Sequence, residues 1–366
     1  MTATRIPFMS LKPGEDGPAV DAAIRRVVDR GWFVLGPEVE SFERAFAHAS
    51  GAQFGIGVGS GTDALVLILK ALGIGRGDEV ITTPLSAAYT ALAVMIVGAR
   101  PVFVDLDPQR LTLDPAAVEA AIGPDTAAII PVHLYGQPAA MDELAAMATR
   151  HDLAMIEDCC QAHLATFRGR PVGSFSVAAA YSFYPTKNLG ALGDAGAITT
   201  NDAELTAKLK RLRNGGQTDR YHHGEPGINS RLDEIQAAIL SARLEFLPRW
   251  TEQRRALAAV YRRELIGSGV VVPPELDPGH VYHLFPVRSS AREALRATLG
   301  ETGIETLIHY PVPIPRQPAL ASESPAACPV ADQVCAEIFS LPLYPSMPEA
   351  HAVEVADAIR SATTVL

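Results

Sequence analysis

Cysteine is scarce, with four in 366 residues. Cys159 and Cys160 are adjacent while Cys328 and Cys335 lie far along the chain, a distribution that gives neither a disulfide framework nor zinc-ligand spacing. The thiols are therefore expected to be reduced and mostly in the core. Basic charge is in deficit: 31 Lys and Arg against 41 Asp and Glu leave a formal charge of -10, which argues against a nucleic-acid or anionic-membrane surface. Long apolar runs are missing as well. Gly or Pro interrupts each one before membrane-spanning length, and the opening Met1-Thr2-Ala3-Thr4-Arg5-Ile6-Pro7 lacks the apolar core of a secretory leader, so a cytoplasmic protein is expected. Repeats and low-complexity tracts are absent too.

What is present is an ordinary globular composition, 48% hydrophobic and 20% charged, in a chain long enough for a large domain and a smaller one. Amphipathic helices are expected at Val20 to Val28 and Glu38 to His48, joined by GWFVLGP (31–37) with two aromatics. From Phe54 short apolar runs alternate with helical patterns. The runs are FGIGV (54–58), EVITT (79–83), RPVFVD (100–105), AAIIPVH (127–133) and AMIED (154–158); the helices are Asp63 to Leu72, Tyr89 to Val97, Pro115 to Ile122 and Met141 to His151. Such alternation implies a mostly parallel sheet covered on both faces. VAAAYSFY (177–184) and GAITT (196–200) follow with no helix between them, so the expectation is an α/β fold with a seven-stranded sheet, mixed at one side.

A helix at Ala203 to Arg213 precedes a polar segment whose Tyr221-His222-His223 is weak evidence for metal, and no metal site is assigned. SRLDEIQAAILSARLEFLPRW reads as a helix opening at Ser230 and stopped by Pro248, which sets the domain boundary: 1–247 large, 248–366 a small C-terminal α+β domain. In the latter, helices are expected at Glu252 to Glu264, Ala291 to Glu301, Pro329 to Phe339 and Glu349 to Ser361, with strands at Val270 to Val272, Tyr282 to Val287 and Glu305 to His309.

In open parallel sheets ligands gather at the carboxyl ends of the strands, where Ser60, His133, Asp158 and Lys187 fall. A loop lysine is ordinarily a solvated charge. Lys187, in SFYPTKNLGALGDAGA (182–197), instead enters a largely uncharged, glycine-rich setting in which an amine can lose its proton and act as a nucleophile. GIGVGSGT (55–62) follows a strand and opens a helix, an arrangement suited to phosphate. Its glycines do not complete a GxGxxG dinucleotide fingerprint, which makes a nicotinamide cofactor the weaker reading. A single phosphate monoester at Ser60, Gly61 and Thr62, with donors from Ser182 and Asn229, is the stronger one. Asp158 can then hold a pyridinium nitrogen, and phosphate anchor, proton holder and Schiff-base lysine are the three fixed points pyridoxal 5'-phosphate requires.

GVGSGTDALVLILKALGIGRGDEVITT, PVHLYGQPAAMDELAAMATRHDLAMIEDCCQAH, SFYPTKNLGALGDAGAITTND and GINSRLDEIQAAIL resemble the corresponding blocks of the DegT family of nucleotide-sugar aminotransferases, within the fold-type-I pyridoxal phosphate enzymes. The likeness runs from Ile6 to beyond Tyr344. It implies Lys187 as the Schiff-base lysine, Asp158 at the pyridine nitrogen, Gln161 near the phenolic oxygen, and Gly61, Thr62 and Ser182 at the phosphate. It also implies that Asn229 reaches the phosphate of a neighbouring subunit, hence a homodimer with shared active sites. Lysine at 187 argues against the family's dehydratases, which carry histidine there. The wording HLYGQP and SFYPTKNLGALGD is most similar to members that aminate dTDP-linked 3-keto-6-deoxyhexoses, with glutamate as the implied donor and 4-keto sugars as the alternative. A non-catalytic regulatory protein on the same fold is the alternative of another class. Two departures stand out. The segment Leu85 to Thr90 is one residue shorter than usual, which leaves Tyr89 as the candidate to stack on the cofactor ring, and Cys159-Cys160 replaces two alanines after Asp158. Arg220, His309, Tyr310 and Arg316 are candidates to grip the nucleotide diphosphate.

Overall fold

The computed structural model describes residues 5–321 and 327–365; Met1 to Thr4 of the opening segment lie outside them. Two helices lead in, α1 (Gly17–Arg30) and α2 (Pro37–Ala49), followed by the alternating region: β1 (Phe54–Val58), α3 (Gly61–Ala71), β2 (Glu79–Thr82), α4 (Tyr89–Ile96), β3 (Arg100–Phe103), α5 (Pro115–Ala121), β4 (Thr126–Ile130), α6 (Met141–Arg150) and β5 (Ala154–Asp158). A small hairpin, β6 (Thr166–Phe167) and β7 (Arg170–Pro171), precedes β8 (Ala178–Ser182), β9 (Gly196–Thr200) and α7 (Ala203–Leu212). The seven main strands form one sheet in the order β1-β9-β8-β5-β4-β2-β3. β9 alone runs against its neighbours, antiparallel to β1 and β8, so the mostly parallel sheet is mixed at one side as the missing crossover helix implies. Consequently the loop from β8 to β9, which carries Lys187, turns back at the same edge where β1 and β5 end.

The core explains the helix placement. α3, whose Ala64 to Leu69 are all buried, packs against the sheet residues Ile56, Ile130, Ile156 and Ile198. This apolar packing fixes the N-terminus of α3 at the sheet's carboxyl edge. Gly196 is required there, because a β-carbon would stand 2.4 Å from the Ser60 carbonyl.

Beyond an exposed hairpin, β10 (Gln217–Asp219) and β11 (His222–His223), come α8 (Glu234–Leu244) and α9 (Leu247–Glu264). α8 starts later than expected. The Ser230 hydroxyl accepts from Gly59 N-H at 2.9 Å and donates to Asp63 at 2.7 Å, serving the sheet edge instead of capping the helix. α8 ends at Leu244, and Pro248, expected to stop it, sits in the first turn of α9, where its missing N-H costs nothing, so it begins a helix in place of ending one. The rest comprises β12 (Phe285–Arg288), α10 (Arg292–Glu301), α11 (Pro329–Glu337), β13 (Ile338–Leu341) and α12 (Glu349–Val365). Tyr261, Phe285, Leu299, Phe339 and Ile359 form its core, and Ile6 joins them through a bridge to Ile304.

Three sequence expectations need correction here. Phe339 is in β13, paired with β12, because Ile338 to Leu341 are buried on both faces and have a strand beside them. The expected strand at Tyr282 starts only at Phe285, since Tyr282 has φ 45° and turns the chain. Val270 to Val272 and Glu305 to His309 make single bridges, Val271 to Arg288 and Leu307 to Ser340, and no ladder.

One buried carboxylate ties the leading helices to α8. Glu234, fully buried, accepts from the N-H groups of Gly36 (2.9 Å), Glu38 (3.0 Å) and Val39 (2.8 Å) at the start of α2. Replacing it with alanine leaves three donors unpaired at ~1–3 kcal/mol each. Glu234→Ala is expected to lose about 3 kcal/mol or more in urea unfolding; a change within about 0.5 kcal/mol, the range of surface substitutions, would contradict this role.

Candidate active site

The alternation of side chains along β5 sends its last two carboxylates to different tasks. Glu157 is fully buried and accepts from Gly173 N-H (2.6 Å), Phe175 N-H (3.0 Å) and Ser176 Oγ (2.7 Å). His133 Nδ1 accepts from Ala139 N-H at 3.0 Å, so Nε2 carries the proton and faces Glu157 at 3.2 Å. With Cys159 these two residues form a cluster whose ligand atoms lie within 4.8 Å of one another. Its carboxylate is already saturated by donors, and burial pushes the Cys159 thiol well above its ordinary range. His133 is thus a scaffold residue behind the site.

Asp158 points the other way. It is 5% exposed, accepts from Thr90 Oγ1 at 2.7 Å and from Cys160 N-H at 3.0 Å, and keeps acceptor capacity for a further donor. Thr90 had no signal in the sequence. It acts here because α4 starts at Tyr89, which is 62% exposed, and the next residue turns inward.

At the N-terminus of α3, Ser60 Oγ accepts from Asp63 N-H at 3.1 Å, while the N-H groups of Gly61 and Thr62 have no acceptor among the described residues. The helix dipole adds partial positive charge at this point. A β-carbon at Gly61 would lie 2.7 Å from Cys160 Sγ and 2.8 Å from Ser182 Cβ, so only glycine lets the helix end approach β8 this closely. These free donors with the Ser60, Thr62 and Ser182 hydroxyls suit a phosphate monoester.

Lys187 follows β8 in a loop held on both sides. Its N-H donates to Tyr184 O at 2.8 Å, Ala191 N-H donates to Phe183 O at 2.7 Å, and Asn188 Nδ2 donates to Val281 O at 2.9 Å. Burial lowers the Lys187 ammonium from its ordinary range, opposed by the thiol of Cys160 and the Asp158 carboxylate. His163 donates from Nε2 to Ser182 O at 2.9 Å, its Nδ1 has no partner, and burial followed by the nearby Lys187 charge pushes it down to about 3. Gln161 bridges two elements: Oε1 accepts from Tyr135 N-H at 2.8 Å and Nε2 donates to the Tyr310 hydroxyl at 3.0 Å.

Two cavities meet at Lys187. One of about 750 Å³ is also lined by His309, Tyr310, Arg5 and Arg296. The other, about 260 Å³, is lined by Asn188, Gln253 and Arg254. Burial holds His309 at about 4 and Tyr310 at about 12, so both are neutral at physiological pH. Of the four residues expected to grip a diphosphate, His309 and Tyr310 therefore reach the cavity beside Lys187. Arg316 lies outside both cavities in an exposed ion pair with Asp332 at 2.9 Å, and Arg220, on the β10–β11 hairpin, sits 5.1 Å over the Tyr221 ring. Asn229 is exposed beside its bridge to Asn214.

The model of the DegT/DnrJ/EryC1/StrS aminotransferase family matches residues 15–360. The chain belongs to this family. It is 48% identical to the dTDP-3-amino-3,4,6-trideoxy-alpha-D-glucose transaminase of Streptomyces venezuelae, over 97% of this chain and 96% of that one. It is 44% identical to the dTDP-3-amino-3,6-dideoxy-alpha-D-galactopyranose transaminase of Aneurinibacillus thermoaerophilus, over 97% and 98% of the two chains. A crystal structure of S. venezuelae DesV in complex with a ketimine intermediate superposes with a TM-score of 0.95 at 48% identity, covering 98% of each chain. The protein is accordingly a pyridoxal phosphate-dependent transaminase, and the nicotinamide and non-catalytic alternatives fall away. The residues present fit the cofactor: unpaired N-H donors for its phosphate, a buried carboxylate with spare capacity for its ring nitrogen, and a partly desolvated lysine between them.

The hydroxyl of Thr90 should matter to cofactor affinity, because a hydrogen bond to a charged group is worth ~1.5–3 kcal/mol. Thr90→Val is expected to raise the dissociation constant for pyridoxal phosphate roughly tenfold or more in a fluorescence titration, with Lys187 intact. An unchanged constant would show that Asp158 needs no such support.

Proposed function

We propose that the protein transfers an amino group from L-glutamate to C3 of a dTDP-linked 3-keto-6-deoxyhexose. The observation that carries the sugar assignment is the full-length identity to two transaminases whose names specify dTDP-3-amino sugars. The larger cavity supports it, since about 750 Å³ suits a nucleotide-linked sugar.

Pyridoxal phosphate, when bound, supplies a carbonyl that takes up the amino group and a ring that draws electrons from the carbon losing a proton. Asp158 holds the proton on the ring nitrogen. Gly61, Thr62, Ser60 and Ser182 bind the phosphate, Gln161 turns its amide toward the phenolic oxygen, and Tyr89 covers the ring. Lys187 Nζ, with its proton affinity lowered by burial, would take the proton from the donor carbon and deliver it to the carbon on the other side of the transferred nitrogen. His309 and Tyr310 orient the sugar as neutral hydrogen-bonding groups. A homodimer with shared sites completes this arrangement, Asn229 crossing to the partner's phosphate. Exposed Trp32, Phe33, Tyr184 and Leu192 support a covered face.

The test is turnover with L-glutamate and either dTDP-3-keto-6-deoxyhexose or its 4-keto isomer. Amination of the 3-keto sugar with kcat/KM at least about tenfold above the 4-keto isomer is expected, a difference of about 1.4 kcal/mol in transition-state binding. Preference for the 4-keto isomer, or for a UDP sugar, would overturn the assignment.

A further inference from the structure

Behind the wall of the larger cavity, one residue holds three parts of it. Tyr135, in the turn Leu134–Gly136 that follows β4, is 2% exposed and has φ 59°, in the left-handed region that a bulky side chain rarely adopts. Such a conformation persists only where its surroundings over-determine it, and it gathers at functional sites. The bonds that hold Tyr135 run in three directions. Its N-H donates to Gln161 Oε1 at 2.8 Å, its carbonyl accepts from His283 N-H at 2.8 Å, and its hydroxyl donates to the carbonyl of His309.

Each partner carries a different part of the site. Because the Tyr135 N-H has claimed Gln161 Oε1, the amide turns Nε2 the other way, where it donates to the Tyr310 hydroxyl at 3.0 Å. His283 lines the cavity with Lys187, and its Nδ1 faces Asn188 Oδ1 at 3.2 Å, one residue along from the lysine. His309 and Tyr310 line the same cavity. Tyr135 itself lines neither cavity at Lys187, so it acts through these partners.

The hydroxyl has the most exposed task. Among the described residues, the backbone of 308–312 pairs with no other main-chain group, and the bond from Tyr135 is the one hydrogen bond it receives. The His309 ring has a hold of its own, Nδ1 to Ser340 Oγ at 3.0 Å, which leaves the peptide free to turn. Burial pushes the Tyr135 hydroxyl well above its ordinary range, so it stays a donor at neutral pH. A segment tied at one point is the part of a wall that loosens first, and the work of ordering it then falls to the ligand.

We propose that Tyr135 is a positioning residue for both sides of the reaction: its N-H turns the Gln161 amide toward the cofactor's phenolic oxygen, and its hydroxyl fixes the His309-Tyr310 segment for the sugar. The amino donor then depends on the first bond alone, whereas the keto sugar depends on both. This inference rests on the transaminase reading above.

Tyr135→Phe tests it, since it removes the hydroxyl and keeps the N-H, the carbonyl and the packing. Binding is measured without turnover: protein loaded with pyridoxamine phosphate is titrated calorimetrically with the dTDP-linked 3-amino-3,6-dideoxyhexose, a pair in which cofactor and sugar both already carry an amino group. A parallel titration uses dTDP alone. The variant should bind the amino sugar roughly tenfold or more weakly than wild type, and dTDP within about threefold of it. With the two half-reactions followed by absorbance, conversion of the cofactor by L-glutamate should stay within about threefold, while the rate at low keto-sugar concentration falls roughly tenfold or more. Equal losses in both half-reactions would reduce Tyr135 to a structural role, and unaltered amino-sugar binding would show that the segment needs no such bond; either overturns the proposal. A crystal structure of the wild-type protein with pyridoxamine phosphate and the amino sugar is a second arm that does not depend on how the variant folds. There the Tyr135 hydroxyl should remain on the His309 carbonyl and touch neither ligand, and a carbonyl turned to another partner overturns the proposal as well. Failure of the underlying reading looks different. Wild-type holoenzyme that no amino acid converts, or wild-type protein that binds the amino sugar no tighter than dTDP, would sink the transaminase or the sugar assignment and take this inference with it.

Discussion

The active site depends on one electrostatic constraint: Lys187 must sit where water is scarce enough to lower its proton affinity and where Asp158 still offers a negative charge nearby. Burial and the carboxylate pull the lysine in opposite directions, and burial prevails. That balance suits an amine that must bond to carbon at one moment and carry a proton at another. The fold supplies it by ending β1, β5 and β8 at one edge and by reversing β9, so that the connecting loop crosses that edge. Asn188, bonded to Val281 O and facing His283 Nδ1 at 3.2 Å, fastens the loop to the C-terminal part of the chain.

Where the sequence was legible, the reason is periodicity. FGIGV, AMIED and GAITT are strands to the residue, because fully buried strands between amphipathic helices leave a pattern that solvent exposure cannot blur. That Lys187, Asp158 and the helix N-terminus at Gly61 come to one sheet edge was legible for the same reason, each lying at or within a few residues of the end of such a run. Legibility failed where tertiary partners decide. IFSL joins a strand because FPVR lies beside it, and Ser230 serves Gly59 and Asp63 in place of the helix that follows. Thr90 gave no local signal, since what distinguishes it is a bond to Asp158, a fact of three dimensions. Arg220 and Arg316 lie outside the two cavities at Lys187 of their own chain, one stacked on Tyr221 and the other paired with Asp332.

The chemistry next to Lys187 is sorted by charge state. His163 at about 3 and His309 at about 4 are neutral at physiological pH, and Tyr310 at about 12 keeps its proton. Glu157 is saturated by backbone and hydroxyl donors. Asp158 and Lys187 are the charged pair beside which these neutral groups stand.

The central claim is that Lys187 is the residue to which the cofactor bonds, and borohydride reduction tests it most directly. Protein reconstituted with pyridoxal phosphate, reduced and digested, should yield one modified peptide, with the cofactor's mass on Lys187 within SFYPTKNLGALGDAGA (182–197). Modification of a different lysine, or none in protein shown to have taken up the cofactor, would contradict the account.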